Sequence, residues 1–254
     1  MMFESHAHYD DEAFDTDREQ LLREVKEMGV DYIMNIGAGL DSIKSSIALT
    51  EQYDFIYASV GVHPGGTAEL TEEKFDWLKQ QCLRDKVLAV GEVGLDYYWP
   101  EPDRQTQQYW FRRQISLAKE LEMPLIIHSR DAAADTLRIM KEEGADRLRG
   151  VIHCYSYTKE TAREFLQWGY YFGIGGVITF QNAKKLREAV ACIPIENILL
   201  ETDCPYLAPT PHRGKRNSSL YLPLIAKAIA EVKGLDYEQV VEITHRNAGT
   251  LYRI

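Results

Sequence analysis

Ser5-His6-Ala7-His8 puts two imidazoles two residues apart near the start of the chain. A strand alternates faces with period two, so His6 and His8 point the same way and can close on one ion. Alone, a His-x-His pair is a weak signal, because two partly solvated histidines look the same. Four further metal-capable side chains change that. Glu92 follows Ala89-Val90-Gly91, His128 follows Leu125-Ile126-Ile127, His153 follows Val151-Ile152, and Asp203 ends Leu199-Leu200-Glu201-Thr202. Four imidazoles and two carboxylates exceed what one tetrahedral zinc with an open position needs. They suit two divalent ions sharing a carboxylate and a water, with about 3.5–4 Å between the metals. The bland alternative is six buried polar residues without a common purpose, and burying unpaired charge is costly.

The elements that must position these side chains recur along the chain. Short β-rich runs cover residues 2–8, 32–37, 56–62, 87–94, 125–129, 151–155, 170–175 and 198–203. Leu125-Ile126-Ile127 is continuously apolar, as a parallel strand buried on both faces must be. Amphipathic segments such as 17–28, 104–121 and 159–168 lie between the runs. Alternating β and α predicts a parallel sheet. Eight such units in 254 residues predict a (β/α)8 TIM barrel, a single domain over 1–254. An open doubly wound sheet would gather its polar residues at one crossover. Here they fall at the carboxyl ends of runs all along the chain, the face where a barrel builds its active site. Residues 205–219 carry Pro205, Pro209, Pro211 and Gly214 and predict an ordered loop over the barrel mouth. Helices over 220–233 and 237–252 are expected to close the chain.

Composition bounds the partners. The net charge is −10, which repels polyanions and counts against a protein that coats duplexes without specificity. It leaves room for a nuclease with a local basic rim. The start, Met-Met-Phe-Glu, lacks the charged-then-apolar run of a signal peptide, and no apolar stretch reaches the roughly 20 residues that span a bilayer. Cys82, Cys154, Cys192 and Cys204 form no C-x-x-C pair and read as reduced thiols of a cytoplasmic protein. A monomer fits this reading, and nothing in the sequence fixes an oligomeric state.

Taken together, these motifs resemble the TatD family of metal-dependent hydrolases, often called TatD deoxyribonucleases. The resemblance runs nearly end to end. It rests on Ser5-His6-Ala7-His8, Gly61-Val62-His63-Pro64, Gly91-Glu92-Val93-Gly94-Leu95-Asp96, His128-Ser129-Arg130, His153-Cys154, the stretch from Glu201-Thr202-Asp203-Cys204-Pro205 to Pro209, and Arg213-Gly214-Lys215-Arg216-Asn217. It implies one ion held by His6, His8, Glu92 and Asp203, another by Glu92, His128 and His153, with Glu92 bridging. Two positions depart from the family pattern. Glu4 stands where Asp is more common, and Ser218-Ser219 where Glu-Pro is common. By strand parity with His6, Glu4 is expected to point inward one layer deeper and to orient a ligand.

The remaining polar residues each carry two readings. His63 could touch a substrate phosphate or the shared water's network, or simply cap a turn. Arg130 could grip phosphate bidentately, or pair with Glu201 or Asp96. Arg213, Lys215 and Arg216 could bind phosphate beside the last strand, or be a solvated surface run. Tyr97, Tyr98 and Trp99 could stack on bases or pack the loop. Cys154 and Cys204, turned away from their ligand neighbours by parity, are expected to be small core fillers. The resulting expectation is a deoxyribonuclease using two divalent ions (magnesium, manganese or zinc), with Asp203 as general base and Glu92 between the ions. Its substrate would be DNA ends, cleaved 3′ to 5′ on single strands. The alternatives are a metal-dependent esterase or deacylase, for example on aminoacyl-tRNA, and a noncatalytic metal- or partner-binding barrel.

Overall fold

The computed structural model describes residues 1–254. Eight strands lie parallel in one sheet in chain order: β1 (Met2–Ala7), β2 (Val30–Gly37), β3 (Ile56–Val60), β4 (Val87–Asp96), β5 (Leu125–Arg130), β6 (Gly150–Ile152), β7 (Tyr171–Ile174) and β8 (Ile198–Leu200). The seam between first and last strands is closed just beyond β8. There the Asp203 N–H donates to the His6 carbonyl at 2.9 Å and the His8 N–H to the Cys204 carbonyl at 2.8 Å. The helices are α1 (Arg18–Glu27), α2 (Leu40–Gln52), α3 (Glu72–Gln81), α4 (Arg104–Leu121), α5 (Ala133–Glu142), α6 (Lys159–Gln167), α7 (Lys184–Cys192), α8 (Leu222–Lys233) and α9 (Tyr237–Tyr252). This is the (β/α)8 TIM barrel that the alternation predicts. No helix is long and apolar enough to cross a membrane.

Two apolar layers hold the wall. The outer one, 62 buried residues, packs strands against helices such as α4, which contributes Trp110, Phe111, Ile115, Leu117 and Ala118. Helix α4 starts where it does because the Asp103 carboxylate accepts the Gln105 and Thr106 N–H groups at 2.9 and 3.1 Å. The inner layer is smaller. Phe3, Met34, Ile36, Ala89, Ile126, Val151 and Leu199 fill the barrel floor, and Leu251 and Tyr252 at the end of α9 pack against them. Ile126, Val151 and Leu199 share parity with His128, His153 and Asp203. The same period that plugs the floor therefore aims polar groups into the space above it.

Several strand ends differ from the sequence reading. β6 stops at Ile152 and β8 at Leu200, so His153 and Asp203 lie past the ladder rather than ending it. The backbone turns left-handed there, with φ of 45° at Cys154 and 58° at Asp203. β4 runs longer than expected and carries Asp96 inside the strand. In β1, period two fails. Glu4 pairs with Ile33 but Ala7 pairs with Asn35, so three residues on β1 span two on β2. Phe3 is the residue in the inner layer, and Glu4 faces Tyr9, Thr202 and Ser219 instead. The inward placement expected for Glu4 is corrected by this bulge.

Gly94 permits the contact that matters most to the site. Its φ is +148°, and a Cβ there would sit 1.9 Å from the His128 carbonyl oxygen. Only glycine lets β4 press this closely on β5.

Candidate metal centre

The six residues singled out in the sequence converge above the inner layer. Glu92 stands at the centre. Its Oε1 lies 2.8 Å from His128 Nδ1 and 2.9 Å from His153 Nε2. Its Oε2 lies 3.6 Å from His6 Nε2. Asp203 Oδ1 is 3.6 Å from the same His6 nitrogen and 3.4 Å from His8 Nε2. One carboxylate thus faces two imidazoles with one oxygen and a third imidazole, shared with Asp203, with the other. The His6 and His153 rings stack with centroids 3.7 Å apart. A cleft of about 490 Å³ opens onto His8, His63, Glu92, His128, His153, Asp203 and Tyr206.

The electrostatics follow from crowding. Burial alone would raise the Glu92 carboxyl, but His153, His128 and His6 hold it well below the usual carboxylate range. Burial likewise opposes charge on His153, yet Glu92 and Glu201 push its pKa well up. His6 goes the other way, lowered by burial and by His153 beside it. Burial also works against protonation of His8, but Asp203 raises it to about 9. Both ring nitrogens of His6, and Nδ1 of His153, are buried without a hydrogen-bond partner. Such orphaned groups cost about 1–3 kcal/mol each. Ligand atoms of His6, His8 and Asp203 lie within 4.8 Å of one another, as do those of His63, Glu92 and His128, and those of His6, His153 and Glu201. Unpartnered imidazole nitrogens beside anionic carboxylates are the donor set that divalent ions take, so the residues fit divalent metal.

Two carboxylates that the sequence reading used only as partners for Arg130 belong to this centre. Asp96 Oδ2 lies 3.2 Å from His128 Nε2. Glu201 Oε1 accepts the Cys154 N–H at 2.6 Å and lies 3.6 Å from His153 Nδ1. Asp96 backs the His128 ring by a hydrogen bond, the arrangement that fixes tautomer and ring orientation in metal sites, while Glu201 faces His153 without one. Their signal was available, since Glu92 and Asp96, like Glu201 and Asp203, keep strand parity. Gly173 makes room for Glu201, because a Cβ there would fall 2.0 Å from its Oε2.

Glu4 acts from outside the wall. Its Oε1 accepts the N–H groups of His6 and Thr202 at 3.2 and 2.9 Å. Its Oε2 accepts the hydroxyls of Thr202 and Ser219 at 2.7 and 2.8 Å. The carboxylate so clamps the two backbones that deliver His6 and Asp203. Ser219, one of the departures noted above, supplies a hydroxyl that the longer Glu4 can reach, and it also accepts from the Tyr9 hydroxyl at 2.9 Å. Ser219→Ala should therefore lower the unfolding free energy by about 1–3 kcal/mol, because it strands buried polar groups. A urea titration reads this directly, and an unchanged midpoint would remove Ser219 from the clamp.

The rim residues divide. His63 caps the turn at Pro64, its Nδ1 accepting the Gly65 N–H at 3.0 Å, while its Nε2 lies 4.0 Å from Glu92 Oε1. Burial lowers its pKa to about 4. Arg130 makes no salt bridge to Glu201 or Asp96; its guanidinium lies 3.8 Å from the Tyr98 ring centre. Arg213 lies 4.4 Å from the Phe180 ring centre, and Lys215 is exposed. Arg216 turns away onto Asp17, at 2.6 and 2.8 Å, and onto the Ala13 carbonyl, which gives its charge a structural partner. Tyr97 is held in the loop by Asp135 and Gln108. Cys204 is a buried core residue as expected. Cys154 is half-buried and lies outside the apolar core, because its left-handed backbone breaks parity.

Comparison with known proteins agrees with this geometry. The family model described as TatD related DNase matches residues 3–253. The metal-dependent hydrolase YabD of Bacillus subtilis is 44% identical over 254 residues, covering 100% of both chains. The metal-dependent hydrolase YcfH of Escherichia coli is 34% identical over 256 residues, covering 100% of this chain and 96% of the relative. The crystal structure of YjjV, a TatD homolog from Escherichia coli, superposes with a TM-score of 0.94 at 30% identity, covering 100% of this chain and 98% of that one. The chain therefore belongs to the TatD-related DNase family of metal-dependent hydrolases.

Proposed function

We propose that this protein is a two-metal phosphodiesterase that removes nucleotides from the unpaired 3′ end of DNA. The observation that carries the reading is Glu92, whose Oε1 faces His128 and His153 while its Oε2 faces His6. His6, His8, Glu92 and Asp203 would hold one ion, and Glu92, His128 and His153 the other. Bound there, two divalent ions would supply Lewis acidity and offset charge at the phosphoryl oxygens. The imidazoles suit zinc; the shared carboxylate and phosphate chemistry suit magnesium or manganese. Asp203, anionic and open to the cleft, accepts the proton of the attacking water. His63, which lines the cleft, and Arg130 would offset the charge that grows on the phosphoryl group. No protein nucleophile is required. The four unpaired cysteines support a reducing, cytoplasmic setting.

Arg213 and Lys215 follow in the loop after Asp203 and make no salt bridge, and in this reading they would offset the net −10 where a strand enters. Replacing both with Gln should raise KM for a DNA end more than it lowers kcat, since these contacts act on ground state and transition state alike. The effect should shrink as salt rises. The activity itself is tested with metal-free protein reloaded with each ion, offered 3′-labelled single strands and aminoacyl esters. Release of 3′ nucleotides is the expected result. Ester hydrolysis without strand cleavage would replace the nuclease reading with the deacylase one.

A further inference from the structure

We propose that Tyr98 and Trp99, with Arg130, form a stacking platform for the unpaired terminal bases of the strand whose backbone enters the metal cleft. The proposal rests on the nuclease reading above and names how such an enzyme would select unpaired ends.

Only four aromatic side chains are largely exposed: Tyr98, Trp99, Tyr109 and Tyr206. Tyr109 is accounted for by Glu72 on α3 and by Arg113 one turn further along its own helix α4. The other three border the barrel mouth. Tyr206 lines the cleft, with its hydroxyl on Asp11. Tyr98 and Trp99 follow the carboxyl end of β4 and are 54% and 59% exposed. They are tied to the centre by a short path: the Tyr98 N–H donates to Asp96 Oδ1 at 3.0 Å, and the other oxygen of Asp96 meets His128. Tyr98 and Trp99 meet edge to face, with ring centres 4.9 Å apart and planes at 89°. The Trp99 indole has no other aromatic neighbour and no hydrogen bond within the chain. Two large aromatic side chains left open side by side at the barrel mouth form the kind of contiguous apolar surface that marks binding sites.

Arg130 is the independent second observation. Arg130 pairs with no carboxylate, in a chain of net charge −10, and its guanidinium carbon lies 3.8 Å from the Tyr98 ring centre. Its N–H donors stay available to an anion beside the aromatic surface. A ligand that satisfies both needs a planar π-face beside a phosphate. An unpaired nucleotide has both; a duplex hides its base faces in the stack. The platform would therefore discriminate single strands from duplexes without reading sequence.

The test compares wild type, Trp99→Ala and Tyr98→Ala as full-length metal-loaded proteins. Substrates are a 3′-labelled single strand and the same strand with abasic residues at its last two positions. On the normal strand, Trp99→Ala should raise KM about 10-fold, more than it lowers kcat. On the abasic strand, wild type should already show that penalty, and the substitutions should add little to it. Unchanged KM in both variants, with wild type cleaving the strand, would overturn the platform and leave the nuclease reading standing. Binding separates the other case. A short oligothymidylate should quench tryptophan fluorescence in wild type but not in Trp99→Phe, and this holds even if the strand is never cleaved. Quenching without cleavage would keep the platform and sink the nuclease reading; no quenching and no cleavage would sink both.

Discussion

Asp203→Asn is expected to lower turnover by about 100-fold to 10,000-fold, the range typical for loss of a general base, while leaving the protein folded. The carboxylate lies 3.6 and 3.4 Å from His6 and His8. Burial favours its neutral form, but His8, His153 and His6 hold its pKa below the usual value. It is therefore anionic and facing two imidazoles, able both to ligate and to take a proton. The amide loses both abilities. Folding should survive, because the backbone at this position is left-handed, with φ 58°, and Asn adopts that region readily. Its N–H bond to the His6 carbonyl closes the barrel whatever the side chain. Turnover at saturating metal, measured beside a thermal melt, checks the prediction. Wild-type turnover would exclude Asp203 as the base.

Glu92→Gln should have the second large effect, on metal retention. A ligand at 100 times its Kd stabilises the folded state by about 2.7 kcal/mol per site. For a domain of this size each kcal/mol shifts Tm by roughly 2–4 °C. Wild type should therefore gain several degrees on metal addition, and the Gln variant should lose most of that gain, since the carboxylate proposed to serve both ions is gone. In metal-free protein the same substitution leaves His128, His153 and His6 without their central counter-charge. Breaking a buried pair on one side costs about 3–5 kcal/mol, so the metal-free variant should also melt earlier. An undiminished metal-induced shift in Glu92→Gln would show that Glu92 does not bridge.

The barrel and the six central residues were legible because each depends on local pattern. Continuous apolar runs such as Leu125-Ile126-Ile127 specify buried strands, and period two aligns Ile126 with His128 and Val151 with His153. What escaped depended on departures from period or on competition between partners. The β1 bulge turned Glu4 outward, and no residue in that stretch announces an extra position. Left-handed turns at Cys154 and Asp203 cut β6 and β8 short, although both are non-glycine residues. Arg130 had two carboxylates within sequence reach, yet both were claimed by histidines, and it settled on a ring instead. Arg216 looked equivalent to Arg213 and Lys215 in its motif, and only the position of Asp17 on the neighbouring segment separates them.

Anomalous scattering from crystals soaked in manganese or zinc tests the central claim most directly. The expected result is two peaks about 3.5–4 Å apart, with Glu92 between them, His6, His8 and Asp203 around one, and His128 and His153 around the other. Peaks remote from Glu92, or those six side chains turned away from the bound metal, would contradict it.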